Sequence, residues 1–280
     1  MKRHISTILL FLVFIIGLSL LLYPSFSDWW NSMHMSRVIS DYVNLIEDLE
    51  EDEYAGILEE AQAYNESLLT RSNGYTTTPE QKELYPKLLN FAGNGVMGYI
   101  EIPSINVSLP LYHGTDEAVL QVAIGHLDWT SLPIGGEGTH CVISGHRGLP
   151  SAKLFTDLDR VEKGDTFQVV VLDQILTYQV DLIKVIEPTE SSDLQIIEGG
   201  DYCTLFTCTP YGINTHRLLV RGIRVETIKE KPVIYVSNEA FRIEPLLVTP
   251  AVAAPMLLVL MIHLLVKYRE PPKNTQEKKK

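Results

Sequence analysis

Three side chains in this sequence are suited to covalent chemistry: a cysteine closing an apolar run, an arginine nine residues later, and a histidine set among glycines. Cys208 ends the run Cys203-Thr-Leu-Phe-Thr-Cys208, and the turn formers Thr209-Pro-Tyr-Gly-Ile-Asn214 follow. Arg217 then opens the strand-like run Arg217-Leu-Leu-Val-Arg-Gly-Ile-Arg-Val225. In a hairpin the end of one strand lies beside the start of the next, so Cys208 and Arg217 can meet across the loop. A guanidinium there favours thiolate and can donate to a tetrahedral oxyanion. The same spacing also fits a buried structural cysteine and a surface arginine. His146 lies in Ser144-Gly-His-Arg-Gly-Leu-Pro150, directly after a strand-like run, where the glycines free the backbone and put the ring at a rim. It is one of eight histidines, and by spacing alone His140 and His216 compete with it. No Cys/His spacing reads as a zinc site, since Cys203 and Cys208 lack a second pair. Neither a metal nor another cofactor is expected.

The elements that must position these groups are mostly strands. Gly98–Ile102, Ile105–Leu109, Thr139–Ser144, Thr166–Leu172, Leu176–Ile186, Tyr202–Thr207 and Leu218–Val225 are short, rich in β-branched or aromatic residues, and bounded by turn formers. Glu117–His126, Ser151–Leu158 and 80–92 read as short helices. About eight short strands with few helices indicate a mainly β fold, a closed barrel or a sandwich. Before them, residues 29–72 carry apolar side chains at offsets of three and four (Ile39, Tyr42, Val43, Ile46, Leu49, then Tyr54, Ile57, Leu58, Ala61, Tyr64). These are two amphipathic helices, interrupted near the acidic run Glu50–Glu53. Residues 71–79 are a loop by composition.

The two ends differ in kind. Ile5–Tyr23 is free of charge and follows Lys2 and Arg3. As a helix it would span roughly 28 Å, close to the hydrocarbon thickness of a bilayer. It exceeds the apolar core of a cleaved leader, and Pro24-Ser-Phe-Ser27 is a poor cleavage site. Leu246–Val266 is a second charge-free run, followed by Lys267 and Arg269. Basic flanks stay in the cytoplasm, which places both termini inside and the middle of the chain outside. Asp28-Trp29-Trp30 then reads as an interfacial anchor. Between the two runs there are 15 Lys and Arg against 33 Asp and Glu, which disfavours nucleic acid as a partner. The three cysteines of an exported domain leave at least one thiol free.

Thr204-Leu-Phe-Thr-Cys208 with Arg217 nine residues on, and Ser144-Gly-His-Arg-Gly148 before them, resemble the signature segments of the sortase family, in the order His, Cys, Arg. The text from Gly145 to Pro150, from Thr207 to Tyr211 and from Thr215 to Gly222 is most similar to class C, the pilin-polymerising sortases. The resemblance covers roughly residues 30–225. It implies a sortase-like closed β-barrel of about eight strands, preceded by an N-terminal helical segment and flanked by two transmembrane helices. It implies that Cys208 attacks a Leu-Pro-x-Thr-Gly-like sorting signal, with Arg217 on the oxyanion and His146 as proton partner. Thr207, Leu205 and Ser144 belong to the matching segments as supporting or substrate-binding residues. Expected partners are proteins carrying sorting signals, an acceptor amine (a pilin lysine in that class), and the membrane.

The expected division is a cytoplasmic tip and first span over 1–23, an extracellular helical segment with a candidate lid loop over 24–95, the barrel over 96–228, a tether over 229–245, a second span over 246–266, and a basic cytoplasmic tail over 267–280. One departure stands out. Class C enzymes commonly carry an Asp-Pro-aromatic lid, and residues 70–79 hold no such triplet, though Tyr75 is aromatic. Cys141 and Cys203 each precede a member of the trio by five residues. If their strands are parallel neighbours, as in sortases, they form a cross-strand pair, either a disulfide or two small buried hydrophobes. Rival readings are a cysteine hydrolase using water, a cell-wall-anchoring sortase using a peptidoglycan amine, and a non-catalytic surface-assembly scaffold.

Overall fold

Over residues 96–227 the chain is rich in β-branched and aromatic residues broken by glycine and proline, and these described residues form eight strands. The computed structural model describes residues 2–69, 77–227, 255–259 and 262. The strands are β1 (Val96–Ile102), β2 (Val107–His113), β3 (Ile124–His126), β4 (Thr139–Ser144), β5 (Thr166–Val171), β6 (Gln174–Ile186), β7 (Asp201–Thr209) and β8 (His216–Arg224). They close into a barrel in the order β1-β2-β3-β4-β7-β8-β6-β5. Closure leaves no unpaired strand edge. Two pairs are parallel, β2 with β3 and β4 with β7; the other six are antiparallel.

Alternation along β4 and β7 sorts the side chains between two apolar layers. Cys141, Ile143, Cys203 and Leu205 enter the main core with Ile100, Phe155, Phe167 and Val220. Val142 packs on the opposite face with Ile186, Leu194, Leu219 and Phe206. β4 is covered on both faces, which fits the apolar centre Cys141-Val-Ile143 of Thr139–Ser144.

Among the described residues three α-helices precede the barrel, α1 (Lys2–Glu47), α2 (Glu51–Leu69) and α3 (Pro79–Leu84). The expected span and first amphipathic helix are one element, since α1 continues through Pro24. Over Phe11–Glu47 it is long and apolar enough to cross a membrane, by length and composition. α2 begins with Glu51, Asp52 and Glu53, whose carboxylates suit the positive end of a helix dipole. α3 is opened by a capping box, with Thr78 and Gln81 bonding each other's backbone N–H.

The chain divides into two units, residues 27–236 and the two ends, 1–26 with 237–280. Of the expected second span, the described part is helical at 255–259 and 262. The tether, the basic tail and residues 70–76 of the candidate lid loop lie outside the described residues.

Within residues 27–236, polar side chains fasten the helices to the barrel. The buried Tyr42 hydroxyl donates to Met97 O and accepts from Leu172 N–H, both at 2.8 Å. Asn65 bonds Leu132 through both amide atoms, at 2.7 and 3.2 Å. Asp28 Oδ1 accepts from Lys153 N–H at 2.7 Å, and Asn31 donates to Ser151 O at 2.8 Å. Asp28, expected beside the tryptophans as part of an interfacial anchor, thus serves the barrel directly. Trp29 and Trp30 remain about half exposed.

Three expected helices are not formed as read, and the one over 80–92 ends at Leu84 with a 3-10 turn over Tyr85–Lys87. Glu117–His126 divides into a four-residue helix α4 (Glu117–Leu120) and strand β3. Gly125 lies so close to Gly114 that a Cβ would stand 2.0 Å from its carbonyl oxygen, and close pairing of β3 with β2 displaces the helix. Ser151–Leu158 is a series of turns ending in a 3-10 turn at Leu158–Arg160. Its backbone makes only turn-type bonds of its own, Thr156 N–H to Lys153 O and Leu158 N–H to Phe155 O, while other groups bond Asp28, Asn31 and His146.

Candidate active site

The antiparallel β7–β8 register pairs Cys208 directly with Arg217. Opposed residues of such a pair project from the same face. By alternation Cys208 faces away from Cys203, which is buried in the core. Cys208 and Arg217 are both half-buried. The loop between them reverses through Gly212 and Asn214, at φ 74° and 60°. Arg217 Nη1 donates to Asn214 O at 3.2 Å and to His216 O at 3.1 Å, so one nitrogen of the guanidinium is held by the loop.

His146 arrives from the neighbouring strand. In the parallel β4–β7 pair, Ser144 stands opposite Phe206. Beyond it Gly145 N–H donates to Phe206 O at 3.1 Å, and the buried Thr207 hydroxyl donates to Gly145 O at 2.7 Å. The segment entering His146 is therefore stitched to the two residues before Cys208. Gly145 also has no room for a side chain, since a Cβ would meet Phe155 at 2.7 Å and Ile124 at 2.8 Å. Phe155 N–H donates to His146 O at 3.1 Å. His146 Nε2 lies 3.9 Å from Glu117 Oε2, an exposed carboxylate that sequence reasoning did not single out. Among the described residues no hydrogen bond joins the Cys208 thiol to His146 or Arg217. Catalytic hydrogen bonds are often loose without substrate and tighten on binding.

Of the three further expected residues, Thr207 supports the histidine segment and Ser144 ends β4 at its base. Leu205 has no exposed surface and belongs to the barrel core, so support is the role its place allows. Among the described residues no cluster of His, Cys, Asp and Glu could hold a metal ion.

The competing histidines occupy other positions. His216 pairs with Glu187 at 3.2 Å. His140 is fully buried, with Nδ1 2.7 Å from Gln195 O and Nε2 2.7 Å from Thr204 Oγ1. Burial, above all, pushes its pKa down to about 4. Because the folded value lies below the ordinary 6.5, unfolding takes up a proton between those limits. The stability His140 gives by staying neutral is complete above pH 6.5 and is lost as pH falls toward 4. We expect the thermal midpoint to fall across this window by the equivalent of about 2–3 kcal/mol. His140→Gln should flatten the slope, and equal slopes in both proteins would remove His140 as its source.

Cys141 and Cys203 are register partners across β4 and β7, buried and free. Burial pushes the Cys203 thiol up. They are small core residues with no disulfide between them.

The family model of the sortase domain matches residues 100–225. Sortase D of Bacillus subtilis (strain 168) is 30% identical over 131 residues, which are 46% of this chain and 63% of that protein. The match thus spans under two thirds of that relative's length. The crystal structure of sortase C1 from Streptococcus agalactiae is 50% identical, with a TM-score of 0.66, covering 68% of this chain and 99% of that one. Sortase C-1 from Streptococcus pneumoniae is 47% identical, with a TM-score of 0.62, covering 69% of this chain and 100% of that one.

Proposed function

This chain belongs to the sortase family, most like class C, and from that premise we propose that it is a cysteine transpeptidase that joins proteins carrying a sorting signal to an amine, a pilin lysine in the reading favoured here. The observation that carries the proposal is the pairing of Cys208 with Arg217 across β7 and β8, with the His146 segment stitched to the strand end beside them.

The chemistry follows from those places. The Cys208 thiolate attacks the threonine carbonyl carbon of a Leu-Pro-x-Thr-Gly-like segment. The tetrahedral oxyanion takes hydrogen bonds from Arg217, whose loop-held nitrogen fixes the guanidinium plane. As the C–N bond breaks, imidazolium His146 gives its proton to the departing glycine amine, leaving a thioester. An incoming amine gives a proton back to His146 as it attacks that thioester, and Cys208 leaves as thiolate. The apolar run of α1 supports membrane attachment, and the second run at 246–266, with basic residues at both termini, supports a two-pass chain with the barrel outside. The 43% identity to sortase C of Streptococcus pneumoniae, a structure described in terms of pilin substrate specificity, supports a pilin lysine over a peptidoglycan amine.

The test uses the full chain in detergent micelles with a Leu-Pro-x-Thr-Gly peptide, followed by intact mass. An adduct of the peptide less its glycine end, resolved into ligated product on adding a lysine-bearing peptide, is the expected result. Resolution by a peptidoglycan-type amine but not by lysine would transfer the protein to the cell-wall-anchoring reading. An intact reactive Cys208 with no adduct across sorting-signal variants would exclude transpeptidation.

A further inference from the structure

The residue after His146 is bonded to the residue after Cys208. Arg147 Nη1 donates to Thr209 Oγ1 at 3.3 Å. Its Nη2 pairs with Asp159, at the far end of the same loop. The Arg147 guanidinium carbon lies 6.0 Å from the centre of the Tyr211 ring, on the loop that follows Thr209. The side chain is 8% exposed although it carries a charge, and its Nε is buried with no hydrogen-bond partner. Charged side chains are seldom so enclosed unless paired, and an unbonded buried N–H is a cost. Gly148 adds a second close approach between the same two segments. Its φ is +80°, and a Cβ there would stand 3.0 Å from the Tyr211 ring.

We propose that Arg147 is a positioning residue: its guanidinium, braced by Asp159, grips Thr209 and thereby sets the spacing between His146 and Cys208. The inference rests on the reading of those two as the reacting pair. The physical argument is one of geometry. The two segments are already tied before both groups, Gly145 to Phe206 and Thr207, and the Arg147–Thr209 bond adds a tie just beyond both of them. A planar fork can bond a carboxylate with one nitrogen and a hydroxyl with another, whereas an ammonium lacks that fixed geometry. Thr209 ends β7, so tension or slack at Arg147 is delivered to the Cys208 end of that strand. Misplacement of a catalytic group by about 1 Å can cost on the order of 100-fold in rate.

The experiment compares Arg147→Lys, Thr209→Val, Thr209→Ser and the Arg147→Lys/Thr209→Val double variant, as full chains in detergent, each checked for an unchanged melting transition. Two readouts are used. In transpeptidation with the sorting peptide, Arg147→Lys and Thr209→Val should each lower kcat by about 10- to 100-fold with KM within about twofold. The double variant should be no worse than the poorer single one, and Thr209→Ser should recover most of the loss in Thr209→Val. The second readout needs no sorting peptide: the pH profile of Cys208 alkylation by iodoacetamide, with His146→Ala as the reference for a broken pair. Arg147→Lys and Thr209→Val should shift the profile from wild type toward that reference. Folded variants with wild-type profiles and wild-type kcat would overturn the proposal, as would a rise in KM alone, which would make Arg147 a substrate contact. Coincident wild-type and His146→Ala profiles would overturn it together with the reacting pair. Shifted profiles without product from any peptide would sustain it and defeat the transpeptidase reading alone.

Discussion

Alanine at position 208 should abolish both the acyl adduct and the ligated product, a loss of at least about 10⁴-fold, while the melting transition stays within a degree or two of wild type. The separation of these effects follows from the barrel's alternation. Cys208 lies on the face opposite Cys203 and Leu205, at the end of β7, and is half-buried. Removing its sulfur opens no cavity in the main core. The same change at Cys203, which has no exposed surface, would remove packing atoms there. Burial also makes Cys208 the thiol that reagents reach. Iodoacetamide should label one cysteine in the native chain and three after denaturation without reductant, because Cys141 and Cys203 are 3% and 0% exposed and free. Cys208→Ala should leave no native labelling. In the proposed mechanism nucleophile and proton partner act as a unit, so adding His146→Ala to Cys208→Ala should cost nothing more. Residual ligation in Cys208→Ala after mass analysis excludes wild-type carry-over would transfer the chemistry to another group.

The strands around this site were legible because local composition and long-range packing agree there. Thr139–Ser144, Thr166–Val171 and Gln174–Ile186 are rich in β-branched residues, and each is a strand. The equal five-residue offsets of Cys141 from His146 and Cys203 from Cys208 become the parallel β4–β7 register, in which the two cysteines stand opposite each other. Where sequence reading failed, the deciding contact lay far along the chain. Ser151–Leu158 has residues compatible with a helix, but its backbone is held by Asp28 and Asn31, more than a hundred positions earlier. Glu117–His126 fits a helical period, yet the approach of Gly125 to Gly114 and the burial of His126 between Tyr85 and Ser131 belong to a strand. Arg147 stood inside the quoted motif, but its partners Thr209 and Asp159 are 62 and 12 residues away, and no local pattern joins them.

Arg217 supplies the sharper test of mechanism, because two roles for it predict different outcomes. As a plain positive charge it would favour the Cys208 thiolate, and Arg217→Lys would keep most of the rate. As a directed donor it must place an N–H where charge develops on the carbonyl oxygen, and lysine should fail. The geometry favours the second. Nη1 is held by Asn214 O and His216 O, so the guanidinium plane is set before substrate arrives. A lysine ammonium could satisfy those carbonyls or reach an oxyanion, but it has no rigid plane that does both. We therefore expect Arg217→Lys to lower kcat for acylation by about 10²–10³-fold, with KM changed little, the usual consequence of losing one oxyanion donor. Native iodoacetamide labelling of Cys208, a displacement with no tetrahedral oxyanion, should stay within about threefold of wild type in Arg217→Lys if the charge is what labelling senses. Arg217→Ala should match the lysine variant in acylation and fall below it in labelling. If lysine instead restores acylation to within a fewfold of wild type, the directed-donor role fails, and the cross-strand pairing of Arg217 with Cys208 acts through charge alone.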